Sequence, residues 1–353
     1  MVLLLLLRFG RTFNTGKLIV VAYSLPELHQ LELLLGSAPP QVSATELGRI
    51  VTATQSFPFY AVEIGQRAPD KPVMLLTAGV HGLEKIGTQV VLAYLETLCR
   101  RLEWDHQFAD LFNKVQLCLL PLVNPAGMAL GWRSNHHHVD LMRNAPVEAQ
   151  EKAAWLLGGQ RYSPRLPWYR GAAGVLEQEN QLLLSYAQSH FQAPFLLALD
   201  CHSGFGRTDR LWFPYAKSAR QPIAHLAQMH RLRELFFQTY PQQNYIFEPQ
   251  SRHYLCHGDI WDYLYDQALQ SELTFLPLTL EMGSWNWVRK NPFQLLRSHG
   301  LFHPVKPHRI KRVLRSHLIL FDFLLHATAA APDWLGTVSS RNASEAGELW
   351  YQL

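Results

Sequence analysis

Three short apolar runs in the 353-residue sequence are each followed, within a few residues, by side chains that bind metals or move protons. His81 and Glu84 follow the first run, His202 follows the second, and Glu281 follows the third. Two histidines and a carboxylate that leave a fourth position open are the ligand set of a catalytic zinc ion. A further carboxylate beside such an ion acts as a general base. The spacing therefore predicts a catalytic zinc site.

The elements that must carry these side chains alternate between strand and helix patterns. The strand-like runs are Phe59–Ile64, Val73–Ala78, Val115–Val123, Phe195–Leu199, Leu211–Phe213 and Leu276–Leu280. Helical periodicity appears from Ile86 to Leu98 and from Ile310 to Leu325. We predict an α/β fold, a three-layer α/β/α sandwich around a mixed, largely parallel twisted sheet. Such sheets bind ligands at the carboxyl ends of their strands, so the four side chains can converge.

The composition is that of a folded protein that does not bind nucleic acid. Hydrophobic residues make up 48% of the chain and charged residues 17%, which excludes a disordered polyelectrolyte. The formal net charge is only +4, and the basic residues form no long block. No run approaches the ~20 apolar residues needed to cross a bilayer, so we predict no membrane span. The sequence carries no signal for an oligomeric state.

The cysteines indicate a reducing compartment. Cys99 lies in a helical pattern, Cys118 and Cys201 lie in apolar runs, and no cysteine pair has the spacing of a thiolate zinc site. Buried free thiols are typical of reduced proteins. The apolar residues at the start of the chain are followed, not preceded, by Arg8 and Arg11, which disfavours a secretory signal. We therefore predict a cytoplasmic protein.

Three segments are predicted along the chain. Residues 1–44 form a leader with an amphipathic piece around Leu25–Leu35, and residues 45–331 form the catalytic domain. Residues 332–353 are rich in glycine, serine and asparagine, so we predict a flexible tail. No internal repeat or low-complexity linker divides the middle segment.

Further motifs lie between the predicted metal ligands. In chain order they are Asn124-Pro125-Ala126-Gly127, Arg133 with Asn135, Val139-Asp140-Leu141-Met142-Arg143-Asn144, His202-Ser203, Trp212-Phe213-Pro214-Tyr215, Tyr254 with Gly258, Asp262, Tyr263 and Tyr265, and Thr279-Leu280-Glu281. Together with the HxxE pair that begins at His81, they resemble the M14 family of zinc carboxypeptidases. The resemblance covers about Tyr60 to Leu325.

This resemblance implies a metal and a catalytic base. His81, Glu84 and His202 would hold one Zn²⁺ per chain, which lowers the pKa of a bound water to about 7. Glu281 would take the proton of that water during attack on the scissile carbonyl and then deliver a proton to the leaving amine.

The resemblance also implies groups that bind the substrate. Arg133 would stabilise the oxyanion together with the metal. Arg143 would bind the terminal carboxylate through two parallel hydrogen bonds, and Asn135 belongs to the same substrate-binding set. Tyr254 would close over the bound substrate, and Asp140 would orient His81.

The sequence departs from the family pattern at two positions. Met142 stands where relatives usually have an asparagine that contacts the terminal carboxylate, and a thioether cannot donate a hydrogen bond. Trp261 lies seven residues after Tyr254, at the position that lines the specificity pocket in relatives, so we expect a shallow or occluded pocket. Arg207 and Arg210 are expected near its mouth, where they would favour an acidic substrate.

The triplet His136-His137-His138 is interpreted as part of a loop. Adjacent residues cannot easily share one tetrahedral ion, and the triplet falls between two family motifs.

Three functions fit these residues. The first is a zinc metallocarboxypeptidase that acts on a small peptide or peptide-like substrate. The second is a zinc-dependent deacylase of N-acyl amino acids, as in the succinylglutamate desuccinylase and aspartoacylase branch. Tyr254 and the aromatic residues after it favour the first, and Met142 weakens it. The third is a non-catalytic zinc-binding relative, which is disfavoured because His81, Glu84, His202 and Glu281 are all present.

Overall fold

The structure is a computed structural model and describes residues 25–291, 293 and 300–352. Its strands are β1 (Val42–Val51), β2 (Ser56–Ile64), β3 (Val73–Ala78), β4 (Gln116–Leu120), β5 (Phe195–Ser203), β6 (Arg210–Phe213), β7 (Ile246–Pro249) and β8 (Thr274–Met282). Its helices are α1 (Pro26–Gly36), α2 (Lys85–Leu102), α3 (His106–Leu111), α4 (Pro125–Leu130), α5 (Gln178–Gln188), α6 (Leu226–Thr239), α7 (Ile260–Ala268), α8 (Trp285–Lys290), α9 (Pro307–Ala329), α10 (Ala331–Leu335) and α11 (Ser340–Tyr351).

The described strands form one mixed sheet in the order β1-β2-β4-β3-β5-β8-β6-β7. The four central strands β4, β3, β5 and β8 are mutually parallel. On one side β2 pairs antiparallel to β4, and on the other side β6 pairs antiparallel to β8. Every residue of β3, β4 and β5 is buried, as expected for parallel strands that are covered on both faces.

Helices cover this sheet in two groups. Helices α2 and α9 contact each other and both contact β3 and β5. Helices α5 and α7 contact each other, and they reach β1 and β8 respectively. This arrangement confirms the predicted three-layer α/β/α sandwich around a mixed, largely parallel sheet.

The N-terminal boundary of the domain differs from the predicted one. The predicted boundary between residues 44 and 45 falls inside β1, which pairs with β2 along its whole length. The amphipathic piece forms α1, which buries Leu28 and Leu31 in the common core and contacts α2. Residues 25–44 are therefore part of the domain, because their apolar face is covered by it. Residues 1–24 of the predicted leader lie outside the described residues.

The predicted flexible tail is also different in the structure, where it forms helices. Ser339 and Asn342 make a reciprocal capping box at the start of α11, so polar residues that suggested a loop are a helix cap. Ala346 and Trp350, four residues apart, are buried on one face of the helix. The Trp350 indole donates a hydrogen bond to the carbonyl of Phe247 in β7 (2.8 Å). This contact fixes α11 against the sheet.

Within the described part of the chain, no helix combines the length and the apolar character that a bilayer crossing requires. All four cysteines, which lie in that part, are buried and form no disulfide.

Replacement of Trp350 by alanine tests the packing of α11. We expect Trp350→Ala to lower the free energy of unfolding by about 3 kcal/mol, because it removes a large buried side chain and its hydrogen bond. The neighbouring Leu349 is 39% exposed, and Leu349→Ala should change that free energy by less than about 1 kcal/mol. Urea denaturation measures both variants, and equal small losses would contradict the packing of α11.

Candidate active site

A tight turn after β3 brings the first two predicted ligands into place. Gly79 has a φ of 72°, in the left-handed region that glycine adopts easily, and its carbonyl accepts a hydrogen bond from the amide of Asn124 (2.9 Å). A Cβ atom on Gly82 would collide with the backbone of Gly127. The Asn124–Gly127 motif therefore packs directly beneath the loop that carries His81, and Glu84 lies at the start of α2.

Strand pairing positions the other two predicted side chains. His202 in β5 is the register partner of Glu281 in β8. Because the two strands are parallel and adjacent, the two residues lie side by side at the carboxyl end of the sheet. This is the edge at which β3 also ends.

His81, Glu84 and His202 bring their ligand atoms together. The two Nδ1 atoms of the histidines lie 3.1 Å apart. The Glu84 carboxylate contacts both, with Oε1 3.0 Å from His81 Nδ1 and Oε2 3.0 Å from His202 Nδ1. All three side chains are buried. One imidazole nitrogen from each histidine and one carboxylate thus surround a common point.

A carboxylate contacts the far nitrogen of each histidine. Asp140 Oδ1 lies 3.1 Å from His81 Nε2, and Asp200 Oδ2 lies 2.8 Å from His202 Nε2. A carboxylate only accepts hydrogen bonds, so each Nε2 carries a proton, and each Nδ1 is the nitrogen that would present a lone pair to a metal ion. Two lone pairs and an anionic carboxylate that face one another repel unless a cation lies between them. This donor set fits a zinc ion.

The carboxylates of the site are held in their ionised form. Burial alone would raise the pKa of Glu84, but His81 and His202 outweigh it and hold that pKa below its ordinary value. Burial likewise acts on Asp140, whose pKa Arg133 and Arg143 hold well below the usual range. A buried anion that stays charged at neutral pH is suited to bind a cation.

Glu281 is different from the other carboxylates of the site. Burial and the nearby charge of Glu84 raise its pKa to about 8. Its Oε2 atom is buried and has no hydrogen-bond partner among the described residues. Such an orphaned oxygen in a pocket is available for a substrate or a water molecule.

The structure brings most of the predicted side chains into one pocket. Six of them line it: His81, Arg133, Arg143, His202, Tyr254 and Glu281. Arg133 donates to Glu84 (3.2 Å) and to Asp140 (3.0 Å). Arg143 donates to Asp140 Oδ2 (3.2 Å), and its guanidinium lies 5.8 Å from the centre of the Tyr254 ring. Two cations and an aromatic ring therefore stand beside the three ligands.

Asn135 is not brought into this pocket. Its Nδ2 donates to Glu177 (2.8 Å) and Glu179 (3.3 Å), and its Oδ1 accepts from the amides of His137 and Val139. All its hydrogen-bonding capacity is used inside the loop, so it has none left for a substrate. This corrects the predicted substrate-binding role. The histidine triplet lies in the same loop, where His137 also pairs with Glu177 (2.6 Å).

The arginines expected at the mouth are placed elsewhere. Arg210 donates to Glu248 (3.0 Å) and lies over the ring of Phe205. Arg207 lines a separate basic groove with Lys290 and Arg312. Neither arginine is among the described residues that line the pocket of His81.

Asp200 and Trp261 are functional candidates with roles that the sequence reasoning missed. Asp200 precedes His202 by two residues in β5, so strand alternation places both side chains on one face, and this signal was present in the sequence. Trp261 does not fill the pocket as expected. Its side chain is buried, and its indole nitrogen donates to Asp200 Oδ2 (3.0 Å), the oxygen that also contacts His202.

The parallel-centred sheet and the buried His-Glu-His set are the fold and the ligand arrangement of a class of zinc-dependent α/β hydrolases. The chain matches the zinc carboxypeptidase (M14) family over residues 37–287, more than half of its length. It therefore belongs to that family, as the ordered motifs predicted.

Curated relatives and solved structures agree with this assignment. The chain is 33% identical to carboxypeptidase E of Caenorhabditis elegans over 135 residues, which cover 33% of this chain and 29% of that protein. It is 23% identical to mast cell carboxypeptidase A of Mus musculus over 261 residues, 69% of this chain and 60% of that protein. These alignments thus span less than two thirds of either relative.

The fold is similar to that of carboxypeptidase A from Helicoverpa armigera. The TM-score is 0.64 at 20% identity, over 86% of this chain and 72% of that chain. This likeness supports the architecture of the sheet and its helices.

Removal of the charge on Asp200 tests its role behind His202. We expect Asp200→Asn to weaken zinc binding by about 10–100-fold, because the His202 ring loses the anion that orients it. Trp261→Phe, which removes the indole N–H together with part of the buried ring, should weaken binding in the same direction by less. Competition with a chelator at fixed pH measures both affinities.

Asp105→Asn serves as the control, since Asp105 caps α3 and has no contact with the three ligands. Wild-type zinc affinity in a folded Asp200→Asn protein would show that Asp200 does not support His202.

Proposed function

We propose that this protein is a zinc metallocarboxypeptidase that hydrolyses the last amide bond of a small peptide-like substrate. One observation carries the proposal: the buried cluster of His81, Glu84 and His202 lies at the pocket of Glu281, whose Oε2 has no hydrogen-bond partner among the described residues. Membership in the zinc carboxypeptidase family supports it.

In this proposal Glu281 moves the proton. Zinc bound by the three ligands supplies a positive charge that polarises the carbonyl and acidifies water. The charge of that ion would lower the pKa of Glu281 from about 8, so that Glu281 Oε2, which no described group occupies, can accept the proton of the attacking water. The same carboxyl group then gives a proton to the leaving amine.

Each of the two arginines binds one of the other negative charges in the reaction. In each guanidinium, Nε and Nη1 donate hydrogen bonds within the protein, and we assign Nη2 to the substrate. Arg133, which contacts Glu84, stabilises the developing oxyanion. Arg143 binds the terminal carboxylate of the substrate, and Tyr254 covers it. Asp140 holds both guanidinium groups in position.

Met142 supports a second candidate, a deacylase of N-acyl amino acids. Its thioether lines the pocket and offers no hydrogen bond to a substrate carboxylate. The polar and charged side chains of this pocket would bind an acyl-amino acid as well as the end of a peptide.

We further propose that the protein acts in a reducing compartment such as the cytoplasm. Four buried cysteines without a disulfide, all in the described part of the chain, support this location.

Replacement of Glu281 by glutamine tests the mechanism. We expect Glu281→Gln to lower kcat on peptide substrates by at least about 100-fold while the zinc content stays at the wild-type level, because only the proton carrier is lost. Glu272→Gln, at an exposed glutamate before β8, should leave kcat unchanged. Hydrolysis by Glu281→Gln at the wild-type rate would contradict the mechanism.

A matched substrate panel separates the two candidate activities. Peptides with a free C-terminus are compared with their C-terminal amides and with N-acyl amino acids. A carboxypeptidase prefers the free peptides, because the amides lack the carboxylate that Arg143 binds. Hydrolysis of the acyl-amino acids alone would favour the deacylase.

A further inference from the structure

A second cluster of potential metal ligands lies on the sheet, away from the pocket. Glu63 in β2 and Cys118 in β4 are register partners, so their side chains are cross-strand neighbours on one face. His190 lies two residues past the end of α5, and its Nε2 is 3.7 Å from Cys118 Sγ. One sulfur, one imidazole nitrogen and one carboxylate oxygen of these residues all lie within 4.8 Å of one another.

These distances are close to those of a zinc site. Zn–S and Zn–N bonds of about 2.3 and 2.0–2.1 Å at a tetrahedral angle separate sulfur from nitrogen by roughly 3.6 Å. The observed separation of Cys118 Sγ from His190 Nε2 is 3.7 Å. Tyr186 donates to Glu63 Oε1 (2.6 Å), which holds the carboxylate beside the thiol. A small movement of the Glu63 carboxylate would bring one of its oxygens within bonding distance of the same ion.

The side chains of Glu63, Cys118 and His190 are suited to bind a divalent metal ion. Cys118 is fully buried and His190 is 2% exposed, and burial disfavours the charged imidazolium. His190 Nε2 is the nitrogen that faces Cys118 and would bind the ion, while Nδ1 has no hydrogen-bond partner among the described residues. Thiolate, imidazole and carboxylate are each ligands that zinc accepts, and a bound cation would lower the pKa of the Cys118 thiol, which burial raises.

We propose that Glu63, Cys118 and His190 form a second zinc site, separate from the catalytic one. The two sites share no residue. The ion would join β2 and β4 to the segment after α5, and Glu63, which is only half-buried, marks the side from which it enters. The alternative is a weak hydrogen bond between the Cys118 thiol and His190.

Cobalt substitution tests this proposal because only the second site has a thiolate among its three proposed ligands. The full-length protein is stripped of metal, saturated with Co²⁺ and examined by absorption spectroscopy. We expect an intense near-ultraviolet charge-transfer band from the Co²⁺–thiolate bond in the wild type. The band should remain in His202→Ala, which damages only the catalytic set, and it should be lost in Cys118→Ser.

Two cysteine variants serve as controls. Cys99→Ser, at a buried thiol on α2, should keep the band, as should Cys256→Ser, whose thiol lines the catalytic pocket. Zinc analysis should show one ion fewer per chain in Cys118→Ser than in Cys99→Ser. The wild-type and His202→Ala spectra keep the test decisive should Cys118→Ser fail to fold.

No sulfur band in the Co²⁺-saturated wild type would overturn the proposal and leave only the hydrogen bond. Loss of the band in Cys256→Ser with retention in Cys118→Ser would overturn it as well. The readout is metal binding and not hydrolysis, so the result stands whether or not the chain cleaves peptides.

Discussion

The rest of the structure depends on one constraint. Three potential metal ligands, each with a lone pair or a negative charge, face one another in a buried site. His81, Glu84 and His202 repel one another without a cation, and the low dielectric strengthens that repulsion. The arrangement persists because anions fix the far side of each imidazole. Asp140 and Asp200 select the tautomer in which both Nδ1 lone pairs point inward. The metal site is thus built from its supports as much as from its ligands.

The sheet provides the rigidity that these supports need. Strands β3, β5 and β8 end at the same edge, so residues far apart in sequence meet there without a flexible connection. The backbone of Gly82 lies so close to that of Gly127 that a side chain on Gly82 would push the ligand loop outward. Parallel pairing and one close backbone approach therefore set ligand positions that local sequence alone does not determine.

Much of this architecture could be predicted from the sequence, and the exceptions have physical causes. The central strands were found because they are continuously apolar, and polar residues at their ends marked the site edge. Strands β1 and β7 lie at the sheet edges, and β1 is half exposed, so its pattern is weak. The role of Asn135 was misjudged because motif position does not show which partners a buried amide has. The helix α11 was missed because its cap consists of residues that also form loops.

The same supports connect metal binding to substrate binding. Asp140 contacts His81 and also accepts from Arg133 and Arg143, so one buried carboxylate aligns a proposed metal ligand and both proposed substrate-binding cations. Trp261 is likewise committed to Asp200, behind His202, and is not available to shape the pocket. Substrate selectivity must then rest on the side chains that do line the pocket, and these include the apolar Met142 and the uncharged Gln250 and Thr279. Among the described residues that line the pocket, the only arginines or lysines are Arg133 and Arg143, and both are already bonded to Asp140. An acidic side chain of a substrate therefore finds no other such partner there. The charge network that holds the metal thus limits the charge left to recognise a substrate.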